Sequence, residues 1–185
     1  MSTTSERRRW DAKHSAKEGP GDPTLFLLSS IEHLPPGPPG RCLDLAAGRG
    51  GNALFMAAQG YRVDAVDWSV AGLRHAQKEA ARRQLMVNLV LADLTKFPLP
   101  RERYDVILCF RYLDRNLWGD MVRALKPGGA LLLETFTEEH LKTRPDFPGE
   151  FCLAPGELLR AFPELRVAIY REMSGEGAAS LLAFR

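Results

Sequence analysis

The stretch RCLDLAAGRGGNALFMAAQGYRVDAVD, Arg41 to Asp67, decides the fold of this chain. It contains an apolar strand, a glycine-rich turn, a short helix that ends at Gly60, and a second strand that ends on a carboxylate. This order predicts a β-α-β unit that holds an adenosine-bearing cofactor at its turn. Cofactors with and without a pyrophosphate both fit the glycine pattern, so the glycines alone do not choose between them.

Strand and helix patterns alternate through the rest of the chain. Helical patterns cover about 69–84 and 115–125, and a short one lies near 155–163. The last two strand patterns are joined by SGEG, 174–177, which is typical of a hairpin and requires an antiparallel pair. We therefore predict an α/β fold, a single doubly wound Rossmann-like domain whose seven-stranded, mostly parallel sheet has a C-terminal antiparallel hairpin. The predicted strands are RCLDLAA, YRVDAVD, MVNLVLAD, YDVILCF, ALLLETF, LRVAIYREM and ASLLAFR.

The chain before this domain is polar and rich in proline. We expect an irregular arm over 1–23, a short helix over 24–34, and a rigid connection through PPGPPG, 35–40. The predicted boundary is therefore an N-terminal arm with a short helix, 1–35, followed by the domain, 36–185.

Composition excludes several classes of protein. The 185 residues suit one domain, and a formal net charge of +2 argues against a nucleic-acid binder. No apolar run approaches a membrane span and the amino terminus is polar, so we expect a cytoplasmic protein that is a monomer or a dimer, with no membrane partner. The histidines and cysteines show no ligand spacing, so no metal site is predicted.

Asp44 distinguishes the two cofactor classes. A nicotinamide fingerprint can be laid on residues 48–53 with Asp67 as its acidic partner. However, a carboxylate four residues before Gly48 would repel a pyrophosphate and attract a cofactor that carries an ammonium and a sulfonium. The small size and the antiparallel end of the sheet agree, so the sequence predicts S-adenosylmethionine.

The motifs resemble those of the class I methyltransferase family over residues 36–185. The family's first motif, an acidic residue followed by a glycine turn, is similar to residues 44–50 here. The acid after the second strand, Asp67, the triplet 92–94 and the run ALKPGGALLLETF, 124–136, also match in order and spacing. Ala46 stands where the family has its first glycine. Alanine should exclude the positive φ angles open to glycine, but its carbonyl can still accept a hydrogen bond, so we expect an intact site.

The resemblance implies a role for each matching residue. Asp44 would hold the methionyl ammonium, Gly48 and Gly50 would let the backbone approach the ligand, and Asp67 would accept the ribose hydroxyls or else merely cap the following helix. Asp93 would meet the adenine amine. The full set of predicted cofactor-binding residues is Asp44, Ala46, Gly48, Gly50, Asn52, Asp67, Trp68, Ala92, Asp93, Leu94 and Cys109.

The methyl acceptor should lie beside the segment that follows the fourth strand, because ligands bind at the carboxyl ends of strands in such sheets. This segment lacks the (Asn/Asp)-Pro-Pro-aromatic signature of enzymes that methylate base amines. It offers cations and aromatic rings suited to a small anionic or soft acceptor, although surface charge explains the arginines equally well. The predicted substrate-facing residues are Trp10, Phe110, Arg111, Tyr112 and Arg115.

The N-terminal Trp10-Asp11 pair, Gly51-Asn52 and RYLDRNL make the chain similar to small methyltransferases of the tellurite-resistance and thiopurine type. In that group an arginine is frequent where Gly51 stands, and the arm would close over the cofactor as a lid. The sequence therefore predicts a methyltransferase acting on a small acceptor by direct displacement. Alternatives are an RNA or protein methyltransferase that uses Arg7 to Arg9, and a non-catalytic cofactor-binding module.

Overall fold

The computed structural model describes residues 3–35, 40–173, 175 and 177–185. Its centre is a seven-stranded sheet in the order β3-β2-β1-β4-β5-β7-β6. Neighbouring strands among the first five are parallel, and β7 is antiparallel to both β5 and β6. The predicted fold class is confirmed, although residues 174 and 176 of the predicted hairpin turn lie outside the described residues. The strands are β1 (Arg41–Leu45), β2 (Arg62–Asp67), β3 (Val87–Leu91), β4 (Tyr104–Phe110), β5 (Leu125–Phe136), β6 (Arg166–Met173) and β7 (Ala178–Phe184).

Helices cover the sheet and precede it. In the described part of the chain, three 3₁₀ turns, Ile31–His33, Arg115–Leu117 and Gly149–Phe151, accompany the α-helices. The predicted helix after β4 is thus divided into a 3₁₀ turn capped by the side chain of Asp114 and an α-helix. The α-helices are α1 (Thr3–Ser15), α2 (Leu25–Ser30), α3 (Gly51–Ala58), α4 (Val70–Arg82), α5 (Trp118–Ala124), α6 (His140–Thr143) and α7 (Glu157–Arg160).

Apolar side chains are buried on both faces of the sheet, as a parallel sheet covered by helices requires. Alternate residues of one strand enter different clusters. In β4, Ile107 and Cys109 belong to one cluster, whereas Val106 and Leu108 belong to the other. This two-sided burial explains why the strands show no strict alternation of apolar and polar residues.

The prediction of an irregular N-terminal arm was wrong. Residues 3–15 form a helix instead of an irregular tail, and its Asp11 reaches the amino end of α4. No glycine or proline occurs before Gly19, so helix is locally permitted. Residues 36–39, which include most of the predicted PPGPPG connection and the predicted domain boundary, lie outside the described residues.

Candidate functional site

The glycine-rich turn between β1 and α3 combines three left-handed backbone positions. Ala46 has φ 57°, Gly48 has φ 56° and Gly50 has φ 80°. Our expectation that alanine would exclude such angles was wrong: Ala46 adopts the conformation that glycine would have there. Because this region costs a non-glycine residue about 1–2 kcal/mol, the surrounding structure must hold Ala46 in place.

Asp44 is a buried carboxylate with an unused oxygen. Its side chain is at the carboxyl end of β1, is 1% exposed, and its Oδ2 has no hydrogen-bond partner. Burial, with a smaller contribution from the charge of Asp67, raises its pKa to about 8, against the effect of a hydrogen bond from the backbone of Ala53. A buried oxygen without a donor is costly, and a ligand ammonium would satisfy it. Asp44 therefore fits the role of holding a cationic ligand.

Asp67 connects the glycine-rich turn to the start of α4. Its Oδ2 accepts the N–H of Gly48 at 2.8 Å, and its Oδ1 accepts the N–H of Ser69 at 2.8 Å. Burial raises its pKa, while these two bonds lower it. The capping role is thus present in the structure. Each oxygen also keeps a second lone pair, so binding of ribose hydroxyls stays a prediction.

The predicted adenine-binding triplet lies beside Asp67. The N–H of Ala92 donates to the carbonyl of Asp67 at 3.0 Å, and Leu94 is 6% exposed within a core cluster. Asp93 uses its Oδ1 to accept from the backbone and hydroxyl of Thr95. Asp93 therefore stabilises the turn that follows β3.

Three further residues that were predicted to bind the cofactor have different structural environments. Trp68 is partly buried after β2, and Cys109 is a free thiol buried in the core at the end of β4. The amide oxygen of Asn52 accepts from the N–H and the hydroxyl of Thr24, at 2.8 and 3.3 Å. Asn52 thus anchors the N-terminal segment, and its predicted cofactor contact remains untested.

Helix α1 packs on the glycine-rich turn and on α4. Asp11 Oδ1 accepts from the hydroxyl of Ser69 at 2.7 Å and from the N–H of Ala71 at 3.2 Å. The imidazole of His14 lies against Gly48, so that a Cβ there would be 3.2 Å from its Cε1. Burial lowers the pKa of His14. The sequence analysis assigned neither residue to the site, because their partners are distant in sequence.

Trp10, predicted to face the substrate, stacks within its own helix. Its ring is 5.7 Å from that of His14, and Lys13 Nζ lies 4.1 Å from the Trp10 ring centroid. The side chain is partly buried. The structure therefore places Trp10 on the helix that covers the turn.

The segment after α1 explains the glycine at position 51. Arg49 Nη1 donates to the carbonyls of Glu18 and Gly19, both at 2.8 Å, and draws this segment onto the turn. A Cβ on Gly51 would lie 2.5 Å from the carbonyl oxygen of Asp22 and 2.6 Å from that of Gly21. The backbone of the segment thus occupies the space that an arginine side chain would need.

Some side chains at the end of β4 and in the segment after it are buried in the core, and others lie on the surface. Phe110 is 7% exposed and packs in the cluster that contains Cys42 and Leu108, so the structure does not bring it to the other predicted acceptor residues. Tyr112 is partly buried, and burial raises its pKa. Arg111 is exposed at φ 56°, with its N–H donating to the carbonyl of Glu134 at 2.7 Å.

Arg115 has structural partners. Its guanidinium makes a two-point ion pair with Glu157, at 2.5 and 2.9 Å, and donates to the carbonyls of Glu150 and Cys152. These bonds attach the segment that precedes α7 to the turn after β4. A substrate contact for Arg115 remains a prediction that competes with this role.

Among the described residues, no group of three or more histidine, cysteine, aspartate or glutamate side chains is placed to hold a metal ion. Within the same part of the chain, no helix has the length and apolar character needed to cross a membrane.

Several known proteins have sequences or folds similar to this chain. Residues 42–129 match the family model described as a methyltransferase domain. Demethylmenaquinone methyltransferase of Clavibacter sepedonicus is 31% identical over 126 residues, which are 63% of this chain and 49% of that protein. The chain spans about half the length of the curated relatives it matches.

Solved structures show the same fold. TehB from Haemophilus influenzae has a TM-score of 0.73 at 19% identity, over 88% of this chain and 62% of that one. Geranyl diphosphate C-methyltransferase from Streptomyces coelicolor A3(2), crystallised with S-adenosyl-L-homocysteine, has a TM-score of 0.72 at 18% identity, over 86% and 75%. The chain is therefore similar to methyltransferases in the sequence of residues 42–129 and in its fold.

Proposed function

We propose that this protein is an S-adenosylmethionine-dependent methyltransferase that acts on a small-molecule acceptor. The observation that carries the proposal is the buried carboxylate of Asp44, whose Oδ2 has no partner at the carboxyl end of β1. An anionic ligand group would be repelled by that oxygen, whereas an ammonium would both donate a hydrogen bond to it and balance its charge.

The residues around Asp44 suit the rest of such a cofactor. The backbone of Gly48 and Gly50 allows close approach, and Asp67 keeps lone pairs for hydroxyl donors at the end of β2. Asp93 and Leu94 follow the adjacent strand β3, where an adenine would lie. We assign residues 1–35 to a lid and 36–185 to the catalytic domain, because α1 packs against Gly48 and Ser69.

The chemistry requires little from the protein beyond alignment. When bound, the cofactor supplies a methyl group that is already activated on a sulfonium. The chain's own contribution is to orient the cofactor through Asp44 and Asp67, and to exclude water beneath α1.

A small acceptor is favoured because α1 covers the turn from which the methyl group would be delivered. The relatives described above support this choice, since one is named for demethylmenaquinone and another for geranyl diphosphate. Arg7, Arg8 and Arg9 are exposed on the same helix, which keeps an RNA acceptor as the second candidate.

Calorimetric titration with S-adenosylmethionine, S-adenosylhomocysteine and NAD tests the cofactor assignment. We expect the first two to bind and NAD not to bind. Asp67→Ala should cost about 1–3 kcal/mol of cofactor affinity. Tight NAD binding without a response to the other two ligands would show that the proposal is wrong. Transfer of a labelled methyl group to small thiols, oxyanions and RNA, at rising salt, then separates the two acceptor classes.

A further inference from the structure

Strand β3 forms one edge of the sheet, and among the described residues it pairs with β2 alone. The N–H of Ala92, just after the strand, donates to the carbonyl of Asp67 in β2 at 3.0 Å. Because the backbone groups of successive residues point to opposite edges of a strand, the even-numbered residues of β3 also face β2. The residues whose N–H and C=O groups point away from the sheet are Val87, Leu89 and Leu91.

This edge lacks the usual protection of an exposed strand. Residues 86–92, MVNLVLA, contain no charged residue and no proline, and the register of β3 with β2 runs without a shift. Two of the side chains are well exposed, Met86 at 83% and Leu91 at 51%. An uncharged, apolar edge of this kind is a template for pairing with another strand.

The opposite edge of the sheet, β6, is protected. It carries the charged residues Arg166, Arg171 and Glu172. Its register with β7 also shifts between Val167 and Ile169. Charges and bulges are common means by which native sheets prevent pairing at their edges. The two edges of this sheet therefore differ, and β3 is the edge that accepts a partner.

Hollows on both faces of β3 leave apolar surface for a partner's side chains. On one face, the hollow between β3 and α4 is lined in part by Leu73, Leu89 and Leu91. On the other face, a second hollow lies between Val90 and the proline-containing loop 97–100. Because side chains alternate along a strand, an added strand would place side chains beside both hollows.

A second copy of β3, running antiparallel, matches this edge. When the pair is centred on Leu89, Leu89 of each copy lies opposite Leu89 of the other, and Val87 lies opposite Leu91. These are the residues whose backbone groups point outward, so each of the three pairs can exchange two hydrogen bonds. The polar side chain of Asn88 is already satisfied, because its amide donates to Asp64 at 3.0 Å.

Charges at the ends of β3 favour this orientation. Arg83 is exposed before the strand, and Asp93 follows it. Antiparallel pairing brings the amino end of each copy to the carboxyl end of the other, so these unlike charges approach, whereas parallel pairing would bring like charges together. A two-fold pair also uses the β3 edge of both copies, so the assembly closes at two chains.

We propose that β3 pairs with β3 of a second copy of this chain, which joins the two seven-stranded sheets into one continuous sheet. The proposal selects the dimer from the two states that the sequence analysis allowed. An extended apolar peptide is the competing occupant of the same edge, and the experiment distinguishes the two.

Sedimentation equilibrium of the full-length protein, from about 1 µM to about 1 mM, measures the mass of the assembly. We expect it to rise from the 20.6 kDa of one chain to twice that value and no further. Leu91→Lys and Met86→Lys each place a charge at the paired edge and should raise the dissociation constant of the dimer at least about tenfold. Leu25→Lys is the matched control, because Leu25 is 82% exposed but lies on α2.

Hydrogen exchange reports which backbone groups pair. As the concentration rises, the amides of Val87, Leu89 and Leu91 should become protected, and Met86→Lys should remove this change. The amides of Asn88 and Val90 already face β2, so their protection should not depend on concentration.

Four results would overturn the inference: the mass of one chain over the whole range, growth beyond two chains, a dimer that both lysine variants leave unchanged, or protection that does not include the three outward amides. If the chain stays monomeric while a peptide of alternating valine and threonine protects those amides, the edge binds a peptide and the proposal of a dimer is wrong.

Discussion

Binding of S-adenosylmethionine should release a proton from Asp44. In the free protein, burial raises the pKa of this carboxyl to about 8, so that below this pH it is mostly protonated. An ammonium ligand favours the carboxylate form and lowers that pKa. The proton must therefore leave as the cofactor binds, and affinity should rise with pH as long as the ligand keeps its ammonium.

The size of the effect follows from the pKa. With a value of about 8, roughly 0.9 of a proton is held at pH 7 and is available for release. Cofactor affinity should rise up to about tenfold for each pH unit between pH 5.5 and 7.5. The measurement stays in this range because free α-amino groups titrate at about 7.7–8.0, so most of the ligand still carries its ammonium.

Calorimetry at one pH in two buffers that differ in ionisation enthalpy counts the released protons directly. Asp44→Asn should bind weakly and release none. Asp64→Asn is the matched control: Asp64 is also buried on a central strand, but Arg41, Asn88 and Tyr104 satisfy its oxygens, so the proton release should persist. No proton release in the native protein, together with affinity that does not change with pH, would refute the pairing of Asp44 with the ammonium.

The same carboxyl should make the free protein less stable as pH rises. Its folded pKa lies above the unfolded value of 3.8, so the folded state holds the proton more tightly than the unfolded chain. The contribution of Asp44 is therefore most favourable below pH 4 and is lost by up to about 1.4 kcal/mol per unit until about pH 8. In urea unfolding, Asp44→Asn should remove this decline, and an equal decline in the variant would assign it to other groups.

Three substitutions test the local geometry through the free energy of unfolding. Ala46→Gly should stabilise the protein by up to about 1 kcal/mol, because glycine adopts φ 57° without strain; destabilisation would contradict this account. Gly51→Ala should cost about 1–3 kcal/mol because its Cβ would lie 2.5 Å from a backbone carbonyl, whereas Gly149→Ala, with 3.6 Å to a side chain, should cost less. Asp11→Ala should lower the free energy of unfolding by about 0.5–2 kcal/mol, because it removes an acceptor for the hydroxyl of Ser69. It should also speed tryptic cleavage within α1. Unchanged cleavage would mean that this hydrogen bond does not hold the helix in place.

The sequence was sufficient to predict the strands of the sheet, because each strand carries its own apolar pattern. The short Gly-containing connection before β7 left no room for a crossover helix, and it correctly predicted the antiparallel end. Asp44 was likewise identified from local order, because a carboxylate at the end of a buried strand is unusual whatever the rest of the chain does.

Features that depend on contacts between distant segments were not predicted. Helix α1 has almost no apolar face, so nothing in its own periodicity showed where it packs. The need for glycine at position 51 comes from the carbonyls of Gly21 and Asp22, thirty residues away. Phe110 was assigned to the acceptor side because it ends β4, but the alternation of side chains along a strand directs it to the opposite cluster.

One continuous set of contacts joins the N-terminal helix to the glycine-rich turn. The carboxylate of Asp11 holds the hydroxyl of Ser69, the N–H of Ser69 donates to Asp67, and Asp67 holds the N–H of Gly48, against which His14 packs. Displacing α1 would therefore remove the contacts of Asp11 with Ser69 and of His14 with Gly48, the two residues whose N–H groups donate to Asp67. Conversely, a ligand that engages Asp67 would be bonded to the residue that fixes both Gly48 and Ser69. Cofactor binding and the position of α1 thus act on the same few hydrogen bonds, which gives the arm a physical means of responding to an occupied site.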